Sequence, residues 1–309
     1  MKALITDHVH PILLENLEAA GIICTYLPNI NQKEVEALIA EYQVLVINSK
    51  IKVGEEFLSL AKELKVIGRL GSGLEIIDLP AAKNSGVAVV NSPEGNRDAV
   101  AEHAIGMLLS LFNNLQKAHR DVIHFDWHRE ENRGEELKGK TVGIIGFGNT
   151  GQALADKLCG FDLKIFFYDK YKENFLHKNA KSASLEEIQN EADIITFHVP
   201  YNAETHYYLD DIFIAKMKKK FYLINTSRGK IVNQNSLLKA LDANKIKGAC
   251  LDVFENEKIQ IYSVVEKEQI AALNKTGKAI LSTHVAGWTN QSKFKIGEIL
   301  SKKITTELS

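Results

Sequence analysis

The stretch Thr141-Val142-Gly143-Ile144-Ile145-Gly146-Phe147-Gly148-Asn149-Thr150-Gly151 decides the fold of this chain. A strand-type run leads straight into a Gly-x-Gly-x-x-Gly turn. A second apolar run, Lys164-Ile165-Phe166-Phe167-Tyr168, ends on Asp169, 23 residues after Gly146. Strand, glycine turn, helix and distant acid in this order form a dinucleotide-binding fingerprint. Gly146 makes the tight turn, Gly148 lets backbone N–H groups approach a pyrophosphate, and Gly151 lets helix pack on strand. The pyrophosphate is expected along Gly146, Phe147, Gly148, Asn149, Thr150 and Gly151, where unpaired N–H groups and the helix dipole favour negative charge. Asp169 accepts hydrogen bonds from a ribose diol and repels a 2′-phosphate, so NAD is expected rather than NADP.

Working outward, short apolar runs alternate with helical patterns in both directions. Strands are predicted at 3–6, 44–48, 66–69 and 87–91, with helix-like stretches at 12–20 and 55–64. A second series follows at 141–145, 164–168, 193–199, 222–226, 248–253 and 280–283. Such alternation implies an α/β fold with parallel sheets covered by helices on both faces. The segment Ser92-Pro93-Glu94-Gly95-Asn96 breaks the first series, and a long helix is predicted after it with Asp98 as N-cap. We therefore expect two doubly wound domains. Residues 1–98, completed by 286–309, form a flavodoxin-like substrate-binding domain, and a Rossmann cofactor domain, 99–285, is inserted into it. A site is expected in the cleft between them, at the carboxyl ends of the strands.

The bulk numbers exclude other classes. With 309 residues, two domains are the prior. Thirty-eight Lys and Arg against 39 Asp and Glu leave a net charge of −1 without a dense basic block, so no nucleic-acid or membrane-surface partner is expected. Cys24, Cys159 and Cys250 are far apart in apolar contexts and read as reduced core residues. Neither a secretion signal nor a long apolar span is evident, so a cytoplasmic location is expected. No His, Cys and carboxylate grouping has metal-ligand spacing.

Three polar residues stand just past strand ends: Arg228, Glu257 and His284, 29 and 27 residues apart. That is about one βαβ repeat each, which in a parallel sheet brings them to one edge. Arg228 can grip a substrate carboxylate through two parallel hydrogen bonds. His284 can exchange a hydroxyl proton, and Glu257 can orient the imidazole and stabilise its protonated form. The other histidines, 8, 10, 103, 119, 124, 128, 177, 198 and 206, belong to no such constellation.

Four separated motifs resemble those of the D-isomer-specific 2-hydroxyacid dehydrogenases, and most resemble the phosphoglycerate-oxidising branch in a short form without a regulatory domain. They are the glycine turn, Asn225-Thr226-Ser227-Arg228-Gly229-Lys230, Gly248-Ala249-Cys250-Leu251-Asp252-Val253-Phe254-Glu255-Asn256-Glu257, and Thr283-His284-Val285-Ala286-Gly287. The resemblance covers nearly the whole chain. It implies that Arg228, Glu257 and His284 are the catalytic trio and that Thr226 and Asp252 face the cofactor, Asp252 through the nicotinamide carboxamide. His198, Val199 and Pro200 would line the adenine pocket. Arg69, Gly71, Ser72 and Gly73 would form the loop that holds the substrate carboxylate, with Asn96 at the interdomain hinge. A homodimer through the long-helix region is also implied, with Arg129 reaching toward substrate.

The departures are specific. Thr283 stands where the family usually has proline before the histidine, and Lys258 where proline often follows the glutamate. Asn48 replaces an arginine common in phosphoglycerate enzymes, leaving Lys50, Lys52 and Arg129 as the cations available to a phosphate. The expected activity is NAD-dependent interconversion of a D-2-hydroxy acid and its 2-keto acid, with D-3-phosphoglycerate, the entry to serine biosynthesis, as first substrate. A general D-2-hydroxy acid of glyoxylate, hydroxypyruvate or lactate type is the second. An NAD-sensing binding protein on the same fold is the alternative outside catalysis.

Overall fold

The computed structural model describes residues 1–172 and 175–309. Two compact units divide the chain: Met1–Arg97 with Trp288–Ser309, and Asp98–Gly287.

The first unit holds five strands, β1 (Lys2–Ile5), β2 (Ile23–Tyr26), β3 (Val44–Ile47), β4 (Val66–Arg69) and β5 (Ala88–Asn91). They pair in parallel in the order β2-β1-β3-β4-β5. Successive side chains alternate between the two faces. Leu4, Leu45, Ile47 and Ile67 meet Val35, Ile39 and Phe57 on one side. Ala3, Ile5, Val44, Val46 and Val66 meet Leu13, Leu17, Leu300 and Ile304 on the other. Burial on both faces is why the inner strands β1, β3 and β4 read as apolar runs. The helix Asn290–Leu308 closes the second face, and fully buried Leu300 and Ile304 contribute about 2 kcal/mol each through removal from water.

The second unit holds β6 (Thr141–Ile145), β7 (Lys164–Tyr168), β8 (Lys181–Ser182), β9 (Ile194–Phe197), β10 (Phe221–Asn225), β11 (Ile246–Leu251) and β12 (Ala279–Leu281). Their order is β12-β11-β10-β9-β6-β7-β8, again all parallel. The order reverses between β6 and β9, so the glycine turn leaves β6 at the topological switch point, where such sheets take ligands. Val142, Ile144, Tyr222, Ile224 and Cys250 pack beneath Ala104, Met107 and Leu108 of the helix Pro93–Phe112. Ile145, Ile195, Phe197, Leu223 and Ala249 pack against Phe213, Leu237, Leu241 and Leu273.

Three details differ from the sequence reading. The edge strands β2 and β8 were not expected. They are short, and β2 shows partial burial at Cys24 and Thr25 rather than an apolar run. The long helix begins at Pro93 instead of after Asp98, because proline suits the first helical turn, whose N–H groups have no intrahelical partner. Cys159 is exposed at a helix end and is not a core residue, whereas Cys250 is buried as expected.

Candidate active site

The glycine turn is built around one close approach. Gly146 sits at φ +92, and a Cβ there would lie 2.6 Å from the His198 carbonyl oxygen, so only glycine fits without moving β9's end. Gly148 caps the helix Asn149–Leu158, and the space on its open side is free of protein within 4 Å. Orphan N–H groups of the first helical turn, next to that open face, suit a pyrophosphate. Asp169, just past β7, accepts from Phe147 N at 2.7 Å and Tyr171 N at 3.0 Å, which pins the acid beside the turn. Phe147 is a core residue, with its ring stacked 3.8 Å from Phe167. Its amide serves Asp169, so it shapes the loop and presents no side chain to a ligand.

His198 also proves architectural. It is buried, with Nε2 2.9 Å from Thr196 Oγ1 and Nδ1 3.1 Å from Thr150 Oγ1, docking the first turn of the glycine-loop helix to β9. Val199 lies against Gly146, and Pro200 is exposed beyond it. Burial pushes the His198 imidazole down to about 4. An unfolded histidine titrates near about 6.5. The native state therefore binds fewer protons between those values, and the stability gained by keeping the ring neutral is complete above the unfolded value. It is lost as pH falls toward 4, by roughly 3 kcal/mol for a shift of this size. Urea unfolding from pH 7 to 4 should show the loss in the native chain and a flatter profile in His198→Gln. Parallel profiles would disprove it.

The reacting cluster follows β10, β11 and β12. Asn225 shapes the turn after β10: its Oδ1 accepts from Ser227 N and Oγ, and its Nδ2 donates to the Arg228 carbonyl. The Arg228 guanidinium donates to Ser227 O at 2.7 Å. The next residue, Gly229, lies so close to the Phe254 carbonyl that a Cβ would overlap it, so the arginine turn and the acid loop are seated on one another. Glu255 clasps the same contact, accepting from Tyr207 Oη and Gln234 N at 2.7 Å each. The hydrogen bond to Glu255 helps push the Tyr207 phenol up to about 12, which keeps it a donor. Across the acid loop, Glu257 Oε2 meets His284 Nδ1 at 2.7 Å. A carboxylate only accepts, so Nδ1 carries the proton and Nε2 is left for substrate. Both side chains remain 40–45% exposed, open to a small molecule.

Asp252 is fully buried. Its Oδ1 accepts from Ser282 Oγ at 2.6 Å and Val285 N at 2.9 Å, and its Oδ2 from Ala286 N at 2.9 Å. Its carboxylate thus holds the His284 loop, a role the sequence reading did not foresee. Thr226 Oγ1 is buried without a partner beside the arginine turn. Unpaired buried hydroxyls are uncommon, and this one suits a polar atom of a bound dinucleotide.

Of the residues assigned to substrate contact, all but Arg129 belong to the first unit. Arg69 ends β4, and its guanidinium donates to the Leu70 carbonyl. Gly71 N donates to Ser92 Oγ, which takes this amide out of the anion-holding set, and Ser72 O accepts from Asn91. Gly73 follows in the same loop. Asn96 lies in the helix Pro93–Phe112 with Oδ1 buried and unpartnered. Arg129 is exposed in the turn after the helix Leu115–Ile123. Among the described residues, no cluster could hold a metal ion and no helix is long and apolar enough to cross a membrane.

Residues 105–286 match the model of a family described as D-isomer specific 2-hydroxyacid dehydrogenase, NAD binding domain. The chain belongs to this dehydrogenase family. D-3-phosphoglycerate dehydrogenase of Archaeoglobus fulgidus is 30% identical over 306 residues, 98% of this chain and 56% of the relative. The chain thus spans little more than half the length of the curated relatives it matches. Among solved dehydrogenase structures, D-lactate dehydrogenase from Aquifex aeolicus, complexed with NAD and lactic acid, superposes with a TM-score of 0.85 at 29% identity, covering all of this chain and 95% of the other. NAD-dependent formate dehydrogenase from Staphylococcus aureus, in complex with NAD, gives 0.79 at 28% identity, covering 98% and 94%. The glycine turn and Asp169 match the NAD binding named by the family.

Proposed function

We propose that this chain is an NAD-dependent dehydrogenase that interconverts a D-2-hydroxy acid and its 2-keto acid. The observation that carries the proposal is the 2.7 Å bond between Glu257 and His284, on the same unit and the same family of strand ends as the glycine turn. NAD would be held by the glycine turn, Asp169, Thr226 and the 198–200 turn, and supplies the hydride acceptor when bound. His284 Nε2 takes the hydroxyl proton during oxidation and returns it during reduction. Glu257 fixes the tautomer and offsets the imidazolium charge as it forms. Arg228 holds the substrate carboxylate by charge-assisted hydrogen bonds. The loop 69–73 and Asn96, on the first unit, are proposed as its substrate-binding residues.

D-3-phosphoglycerate is the first substrate reading, supported by the names of curated relatives about 30% identical to this chain. It would place the reaction in serine biosynthesis. The second reading, an unphosphorylated acid such as lactate or glycerate, is favoured by the loop after β3. There Asn48 stands without a guanidinium, its N–H bonded to Asp7, and Lys50 Nζ donates to the Pro28 carbonyl. Steady-state NAD reduction with 3-phosphoglycerate, glycerate and lactate separates the two. A kcat/KM at least tenfold higher for 3-phosphoglycerate supports the first reading; preference for lactate or glycerate replaces it with the second. Tight NADH binding with no turnover of any acid or keto acid would favour an NAD sensor.

A homodimer is part of the proposal. The helix Leu115–Ile123 and the turn after it expose Leu115, Val122, Ile123, Phe125 and Trp127, the last two by 98% and 77%. Clustered aromatic and aliphatic exposure of this kind marks an interaction surface. Light scattering should give twice the chain mass for the native protein and the single mass for Phe125→Asp with Trp127→Asp. A native monomer would end this part of the reading.

A further inference from the structure

His284 holds a backbone conformation that side-chain-bearing residues avoid, with φ at +55. Such a residue persists only where its surroundings over-determine it. Three consecutive amides do so here, and all end on one residue: His284 N donates to the Asp252 carbonyl at 2.8 Å, and Val285 N and Ala286 N donate to the Asp252 carboxylate. Thr283, preceding the histidine, adds no ring restraint of its own.

The carboxylate is itself held from behind. Ser282 Oγ lies 2.6 Å from Asp252 Oδ1 and 2.9 Å from His103 Nε2. Both Asp252 oxygens accept from backbone amides, so the Ser282 hydroxyl donates to Oδ1 across the 2.6 Å contact and accepts from His103. His103 therefore carries a proton on Nε2, and that nitrogen lies 3.7 Å from Asp252 Oδ1. Its place in the helix Pro93–Phe112, packed on the sheet through Ala104 and Met107, makes it a rigid anchor.

We propose that His103 is a positioning residue for His284, acting through Ser282 and Asp252 to lock the loop that aims the imidazole. The chain of donors runs from the His103 ring through the Ser282 hydroxyl to the Asp252 carboxylate, which fixes the amides of residues 285 and 286. The His284 ring is then set against Glu257, with Nε2 facing outward. The role rests on the dehydrogenase reading for its effect on turnover, but the tether itself does not.

The test compares His103→Leu, His103→Gln and Ser282→Ala by two readouts. Glutamine keeps an amide donor near the position of the imidazole Nε2, and Ser282→Ala breaks the chain without touching the helix. Amide hydrogen exchange at Val285 and Ala286 should quicken at least about tenfold in His103→Leu and Ser282→Ala, and return to near native in His103→Gln. In steady-state assays, kcat should fall about tenfold in the first two and recover in the glutamine variant, with NADH affinity within about twofold throughout. Unchanged exchange in both chain-breaking variants overturns the tether. Faster exchange with unaltered kcat, or with NADH affinity falling in step, overturns the positioning role. Faster exchange in a protein whose native form turns over no acid upholds the tether and refutes the dehydrogenase reading.

Discussion

His284→Ala lowers kcat by about 10²–10⁴-fold, the range that a positioned general acid or base supplies, while NADH affinity stays within about twofold. The split follows from geometry. The imidazole bonds to Glu257 through Nδ1 and leaves only Nε2 to meet a reacting group, whereas the glycine turn and Asp169 lie at the ends of β6 and β7. Removing the ring takes away the proposed proton relay and leaves the glycine turn undisturbed. The loop is held by its backbone amides on Asp252, so its fold survives the substitution. Alanine at φ +55 meets the same strain as histidine, so stability should change little. Fluorescence titration with NADH and steady-state rates measured on the same preparation decide it. If cofactor affinity collapses along with turnover, His284 belongs to the cofactor site and the acid–base assignment is wrong.

Gly229→Ala has the largest expected effect on both stability and activity. An added Cβ would overlap the Phe254 carbonyl, which is backbone and cannot swing aside as a long side chain would. Either the turn carrying Arg228 or the loop carrying Glu257 must retreat. Overpacking of this kind costs about 3 kcal/mol or more. In a unit of this size that lowers Tm by roughly 6–12 °C. Displacing Glu257 from His284 also removes the partner that fixes the ring tautomer, and kcat falls by about 10²-fold or more. Gly148→Ala is the contrast: a Cβ there meets open space, so Tm holds, and the methyl group occupies the room meant for pyrophosphate, so NADH affinity drops. Calorimetry and NADH titration of the two variants separate a steric seat from a ligand cradle. Equal Tm for Gly229→Ala and the native chain would remove the contact from the account.

The glycine turn was legible because its meaning is local: strand, turn, helix and Asp169 lie within one short stretch. The even spacing of Arg228, Glu257 and His284 was legible for a related reason, since parallel βαβ repeats convert sequence intervals into a shared sheet edge. Edge strands β2 and β8 escaped because an edge has one neighbour and needs no unbroken apolar run. Pro93 was read as a breaker when it is an opener, since proline looks the same to a sequence pattern in either role. His103 belonged to no catalytic constellation in the sequence, and His198 was placed only by resemblance, in the adenine pocket. Ser282 lies 179 residues from His103 and Thr150 lies 48 residues from His198, and no local periodicity announces a pairing at such range. The seat of Gly229 on Phe254 was likewise invisible, because it depends on two loops converging.

The first unit is stitched from both ends of the sequence, and this sets an order of assembly at the ribosome. Residues 98–287 form a contiguous stretch whose sheet contains every strand it needs once β12 has emerged. The earlier strands β1–β5 must wait, since Leu300 and Ile304 of the last helix supply one wall of their interior. The nucleotide-binding unit can therefore be complete while the segment translated before it still lacks that wall.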